Sequence, residues 1–465
     1  MHDGHIGRTK GCELRDARLD STIESQAGRP GDRRAMRLGE RRDIGIIAGD
    51  AGRERRGCGK DVRCHAPHER APVLFIENWS QALLRMVKRL DRHEYPFTAR
   101  PRVDVHGLHA QEATGDLERW GSRIPNVGGR RLCVLGGGSW GTAIASVAAV
   151  DVVLWTRRPE VAAEVNETRR NQRYTGDIEL PATLVATASL EEACKDALAV
   201  LVAVPSSVFR AVMVDAAAHL PFDAPLLSLT KGIERGSNLT MTQVLSSCVQ
   251  AAAVGVITGP NLAKEIVAGM PAACVIALRD EGLAKVVQSR LHTPRLRVYT
   301  STDVVGCEVA GATKNVLAIA AGVSDGLGFG DNTRAAIITR GLAEMGRLGV
   351  ALGGQPLTFG GLAGVGDLVA TCTSDKSRNR RIGVALGTGR TLDEAVASIG
   401  EVAEGVVSAR PLVELARSQG VEVPICEQVA LMIEGSTTPI AALRTLSERP
   451  AREEWDVELL RELGR

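Results

Sequence analysis

Apolar and polar residues keep no sustained period of 2 or 3.6 through the first 129 positions, where only ENWSQALLRMVKRLDRHE (77–94) has the spacing of an amphipathic helix. The pattern changes at residue 130. Apolar runs of strand length then recur, each closing in a loop or a helix start: RLCVLG, DVVLW, ALAVLVAVP, PLLSL and AAAVGVIT. Runs without polar alternation suit strands buried on both faces of a parallel sheet, and their succession with helical stretches predicts a doubly wound α/β fold. Such a sheet binds ligands beyond the carboxyl ends of its strands. Farther on, VAGATKNVLAIAAGV is a nearly all-apolar helical run, and the chain after it reads as helical.

The first strand, Leu132–Leu135, runs into Gly136, Gly138 and Gly141, spaced G-x-G-x-x-G, and then into an Ala-rich helix. Strand, glycines and helix come in the order that a dinucleotide site needs. Gly136 permits the tight turn, Gly138 lets the backbone approach a pyrophosphate, and Gly141 lets the helix pack on the strand. The N–H groups at the helix start then face the phosphates. The expected organisation is an extension, 1–129; a Rossmann-like dinucleotide-binding domain, 130–308; and an all-helical substrate and catalytic domain, 309–465. The extension reads either as disordered or as a start codon assigned too far upstream.

Where the second strand ends, an acidic residue would bind the ribose 2′-hydroxyl of NAD, but Thr156, Arg157 and Arg158 stand there. Arginine at that point suits the 2′-phosphate of NADP; the alternative is a solvated pair at a strand end.

Composition narrows the classes. The net charge of +2 gives no footprint for nucleic acid or a membrane surface, although residues 1–129 hold 24 Lys and Arg against 19 Asp and Glu. Those charges are interspersed, not clustered. Ten cysteines in 465 residues are too sparse for a disulfide scaffold, and most lie in apolar runs. Cys58, Cys64, His65 and His68 lack the spacing of a zinc knuckle, so no metal is expected. Neither a membrane span nor a secretory signal is legible, which makes the cytoplasm the expected location.

Dehydrogenation of an alcohol needs a group that takes the hydroxyl proton. Only His219 and His292 follow residue 129, and neither has a catalytic setting. Lysine is the better candidate. Lys314 lies within the apolar helical run, where an ammonium must find a partner or give up its proton. Lys231 follows an apolar strand in a Thr-Lys-Gly turn, at the crevice or simply at the surface. Asp367 offers a carboxylate partner, and SDKSRNRR (374–381) offers cationic forks suited to a phosphate or merely to solvent.

Taken in order, GGGSWGTA, LWTRRPE, NQRYTGDIELP, VAVPSS, SLTKGIE, ITGPNLAKEI, EVAGATKNVLAIAAGVSDGLGFGDN, TRGLAEMGRLG, GLAGVGDLVATCTSDKSRNRR and EVAEGV resemble the bacterial-type NAD(P)-dependent glycerol-3-phosphate dehydrogenases over about residues 130–440. The resemblance implies reversible hydride transfer between NAD(P)H and dihydroxyacetone phosphate, giving sn-glycerol 3-phosphate for phospholipid synthesis, in a homodimer. It implies Lys314 as the proton donor and acceptor, with Lys231 contacting both substrate and cofactor. Asp367, Ser377, Arg378 and Asn379, with Gly259 and Asn261, would complete the substrate site. Cofactor contacts would fall to Ser139, Trp140, Arg157, Arg158, Tyr174, Ala263, Arg378, Val402 and Glu404.

Two features depart from that pattern: the connection between the first helix and Trp155 is near the minimum for a βαβ unit, and Asn261 stands where a small Ser or Thr is usual. A 3-hydroxyacid or phosphogluconate-type dehydrogenase is the competing enzyme. A non-catalytic dinucleotide sensor is the competing non-enzyme, although it would need no proton shuttle.

Overall fold

The five apolar runs form β1 (Arg131–Leu135), β2 (Val152–Trp155), β4 (Ala197–Val202), β5 (Leu226–Ser228) and β6 (Val254–Thr258). Three more strands, β3 (Leu184–Thr187), β7 (Ala272–Ala277) and β8 (Leu296–Ser301), complete an eight-stranded sheet of order β3-β2-β1-β4-β5-β6-β7-β8. The structure, a computed structural model, describes residues 130–250 and 253–451. The helix expected at 77–94, the Cys58, Cys64, His65 and His68 group, and residues 452–465 lie outside the described residues.

β3 and β8 escape the apolar-run pattern because they are the sheet's edges: β3 alternates buried and exposed positions, and so does the start of β8. Neighbouring strands from β3 through β6 pair in parallel, but β6 and β7 pair antiparallel. Residues 259–271 hold only the five-residue helix Ala263–Val267, so the chain stays at the carboxyl end of the sheet and β7 runs back from there. The short connection after the first helix still delivers its strand. Helix Ser139–Val147 is followed by residues 148–151, and β2 then pairs with β1 in unbroken register from Leu132↔Val152 to Leu135↔Trp155.

Alternate residues of the strands feed the two faces. Leu132, Val134, Leu154 and Leu201 pack with Ile144 and Leu291 on one side; Cys133, Leu135, Val153 and Val202 pack with Phe209 and Met213 on the other.

The sheet ends at Ser301, and the helix Val304–Gly326 begins the helical part, crossing the 308/309 division drawn from the sequence. Among the described residues it is the one helix long and apolar enough to cross a membrane, yet all but three of its 23 residues are buried by protein. A helix apolar on every side is a core helix when other helices surround it. It packs on Asp331–Ala351, Asp367–Thr373, Arg378–Gly387 and Glu404–Ser418. Its closest neighbour is Arg378–Gly387, because a Cβ on Gly322 would lie 2.0 Å from the Arg380 carbonyl oxygen and one on Gly383 would lie 2.1 Å from that of Ile319. Backbone therefore meets backbone. That crossing fixes the start of Arg378–Gly387, which carries Arg378 and Asn379, beside the middle of the central helix, which carries Lys314 and Asn315.

Candidate active site

Gly136 adopts φ +124°, and a Cβ on Gly141 would sit 1.8 Å from the Gly136 carbonyl oxygen, so the turn and the helix start interlock only as glycines. Gly138 differs from both. A Cβ there would meet nothing within 4 Å, which leaves the outer face of the loop open. Gly138 caps the helix without a side-chain hydrogen bond, and first-turn N–H groups have no intrahelical acceptor, so a phosphate fits this face. Asn171, fully buried, steadies the loop from behind: its amide donates to the Gly137 carbonyl (3.0 Å) and to Thr142 Oγ1 (2.9 Å). The short helix Gln172–Thr175, with Tyr174, and Ala263 at the start of Ala263–Val267 both belong to helices packed on the glycine-loop helix. Trp140 is half-buried beside the loop, its indole Nε1 without a hydrogen-bond partner among the described residues. At the end of β2, Arg157 is exposed, and Arg158 lies 3.9 Å from the exposed Glu160. Neither arginine is drawn into the core, so both are accessible to a cofactor's 2′-phosphate.

At the carboxyl end of the sheet, Asp367 joins the two lysines. Lys231 Nζ donates to Asp367 Oδ2 (2.7 Å), to the Gly259 carbonyl (2.9 Å) and to Asn261 Oδ1 (2.6 Å). Lys314 Nζ donates to Asp367 Oδ1 (2.9 Å) and Thr371 Oγ1 (2.8 Å). Of the two fates open to an ammonium in an apolar helix, Lys314 has found a partner. All three charges are sheltered: the side chains of Lys231, Lys314 and Asp367 are 11%, 8% and 2% exposed. Burial, reinforced by the charge of Lys314, brings Lys231 down to about 8 against the pull of Asp367. Burial alone would push the Asp367 carboxyl up, but the two ammonium groups outweigh it and hold that carboxyl below the usual carboxylate range. Asp367 follows directly on a π-helical turn, Leu362–Gly366, a local departure from α-geometry that recurs at functional sites. Two buried polar atoms beside Lys231, Asn261 Nδ2 and Thr258 Oγ1, have no partner among the described residues.

A chain of amides ties this centre to the helical part. Asn315 Nδ2 donates to the Lys231 carbonyl (2.9 Å), Asn379 Nδ2 donates to Asn315 Oδ1 (2.8 Å), and the Gly405 N–H donates to Asn379 Oδ1 (3.0 Å). Ser377 caps its helix by accepting from the Arg380 N–H. Arg380 is held by Asp325 at 2.8 Å, whereas Arg378 meets Glu401 at 3.2 Å with 38% of its side chain exposed. Glu401 Oε2 also accepts from Ser139 Oγ (3.0 Å), so the SRN segment reaches the glycine loop through one carboxylate. Val402 is exposed, and Glu404 is half-buried, accepting from the Ser206 N–H (3.1 Å) and Oγ (2.5 Å). Burial pushes the Glu404 carboxyl up against those bonds.

The N-terminal region of the NAD-dependent glycerol-3-phosphate dehydrogenases matches residues 131–284, and their C-terminal region matches residues 303–444. A Streptomyces coelicolor protein named glycerol-3-phosphate dehydrogenase [NAD(P)+] is 48% identical over 329 residues, covering 70% of this chain and 98% of that protein. The chain belongs to this family. A relative of the same name from Corynebacterium jeikeium is 51% identical over 305 residues, covering 64% of this chain and 92% of that protein. The crystal structure of glycerol-3-phosphate dehydrogenase from Coxiella burnetii, 38% identical, superposes with a TM-score of 0.66 over 69% of this chain and 99% of that one.

Membership in the family makes the chain an NAD(P)-dependent oxidoreductase; of the residues singled out in the sequence, Ser139 and Arg378 meet at Glu401, while Lys231 and Asn379 are joined through Asn315. Sequence reasoning passed over Asn171, Ser206, Asn315, Thr371 and Glu401. Asn171 and Ser206 sit inside quoted motifs, NQRYTGDIELP and VAVPSS, and Asn315 follows Lys314 in KNV, so position was available while partner was not.

Proposed function

We propose that this chain interconverts dihydroxyacetone phosphate and sn-glycerol 3-phosphate, and that Lys314 exchanges the proton of the reacting oxygen. The arrangement that supports this reading is the pair of sheltered lysines sharing Asp367 at the carboxyl end of a dinucleotide-binding sheet. The glycine loop, Trp140, Arg157 and Arg158 would hold NAD(P)H, which supplies the hydride when bound. Lys314 Nζ, held by Asp367 and Thr371, gives its proton to the carbonyl oxygen in reduction and recovers it in oxidation. Lys231 adds a second positive charge that polarises the same oxygen, and the unpartnered amide N–H groups of Asn261 are donors for a substrate hydroxyl. Arg378 presents an accessible guanidinium to the phosphate, a role closed to Arg380 by Asp325.

The first test follows NADPH absorbance with dihydroxyacetone phosphate as substrate. Lys314→Ala should lower turnover by at least ~10²-fold with NADPH affinity nearly intact. Near-normal turnover would overturn the assignment. One observation favours Lys231 as the proton donor instead: burial brings it to about 8, near the operating pH. In that case Lys231→Ala would abolish the pH dependence of turnover near 8, and Lys314→Ala would retain it.

Supply of phospholipid precursor in the cytoplasm is the biological role that fits this reaction. The seven described cysteines are all free, which suits a reducing compartment. Assembly as a homodimer belongs to the same reading and is tested by sedimentation velocity.

A further inference from the structure

Ser139 and Arg378 belong to opposite halves of the ligand site, the glycine loop and the SRN segment, yet a single oxygen joins them. Glu401 Oε2 accepts from Ser139 Oγ at 3.0 Å and lies 3.2 Å from an Arg378 guanidinium nitrogen. Ser139 is the first residue of the glycine-loop helix, where free N–H groups and the helix dipole favour negative charge. Arg378 keeps 38% of its side chain exposed. The carboxylate therefore occupies ground that suits the anionic oxygens of a phosphorylated ligand.

We propose that Glu401 is a built-in anion that competes with phosphate-bearing ligands for Ser139 and Arg378 and so weakens their binding. The inference rests on the dinucleotide reading of the glycine loop. Glu404, three positions on, makes the contrast: both of its carboxylate oxygens accept from Ser206, the first residue of its helix. Glu401 has 26% of its side chain exposed and follows Gly400, at φ +67°, in the turn between helices Leu392–Ile399 and Glu404–Ser418. Its ion pair is shallow enough to open without unpacking a core. When a phosphate arrives, Arg378 exchanges one anion for another, while the released carboxylate stays nearby and repels the newcomer. Affinity is then the difference between two similar attractions, less that repulsion.

Calorimetric titration of the full chain with NADPH, and separately with inorganic phosphate, tests this on wild type, Glu401→Gln and Glu401→Ala. Glu401→Gln keeps the size and removes the charge; Glu401→Ala removes both. Each variant should bind NADPH roughly three- to tenfold more tightly, the range set by a partly exposed ion pair, and should bind phosphate more tightly as well. Unchanged or weaker binding in both variants, with thermal melting like that of wild type, overturns the proposal. Wild-type protein that binds no NADPH would overturn the dinucleotide reading along with it. Wild type that binds while neither variant tightens sinks the competing anion alone.

Discussion

Asp367→Asn separates charge from shape at the centre of the site, because the side chain keeps its size while Lys231 and Lys314 lose the anion they share. Their Nζ atoms lie 2.7 and 2.9 Å from its two oxygens, and the carboxylate is 2% exposed. A unit pair about 4 Å apart is worth about 4 kcal/mol at an effective dielectric near 20, and stranding a buried partner costs about 3–5 kcal/mol. Deprotonating Lys231 relieves part of this cost. Burial already holds that group at about 8, below its usual 10.5. The unfolded chain therefore binds more protons between those values, so stability rises with pH across that window. Removing Asp367 lowers the folded value further. The deficit due to Lys231 is then complete below the variant's new value and gone above about 8. Urea denaturation at pH 6 and pH 9 measures it: the variant should lose about 3 kcal/mol at the lower pH and distinctly less at the higher, with m unchanged. A loss below about 1 kcal/mol at pH 6, or an equal loss at both pH values, would refute the picture of two sheltered ammonium groups on one carboxylate.

Changing Arg157 and Arg158 together to Ala should weaken NADPH on the order of 1 kcal/mol more than NADH, since both side chains are accessible and solvent screens them; equal effects in binding titrations would show a merely solvated pair. Glu344 accepts from the Ile425 and Cys426 N–H groups (2.7 and 3.2 Å), and burial raises its carboxyl to about 7. The folded state then holds the extra proton between about 4.5 and 7, so wild-type stability should fall by about 3 kcal/mol as pH rises through that window. Thermal melts of Glu344→Gln should lose this slope, and an unaltered slope would count against the buried carboxyl as its source.

Local pattern determined a good part of this protein. The run RLCVLG and the spacing of Gly136, Gly138 and Gly141 specify a strand, a turn and a helix within a few residues of one another, and the fold keeps all three. The central helix was equally legible, because an apolar residue at nearly every position leaves a helix no surface to give to water. The antiparallel β7 was not, since direction depends on where a connection leaves the chain and not on the strand's own residues. The residue types of the site could be read in advance, but their company could not. Asp367 meets Lys231 across 136 positions and Lys314 across 53, and Glu401 meets Ser139 across 262. Periodicity says which face of an element is buried; which distant side chains share that space follows from close helix crossings such as Gly322 on Gly383, and only the folded chain decides them.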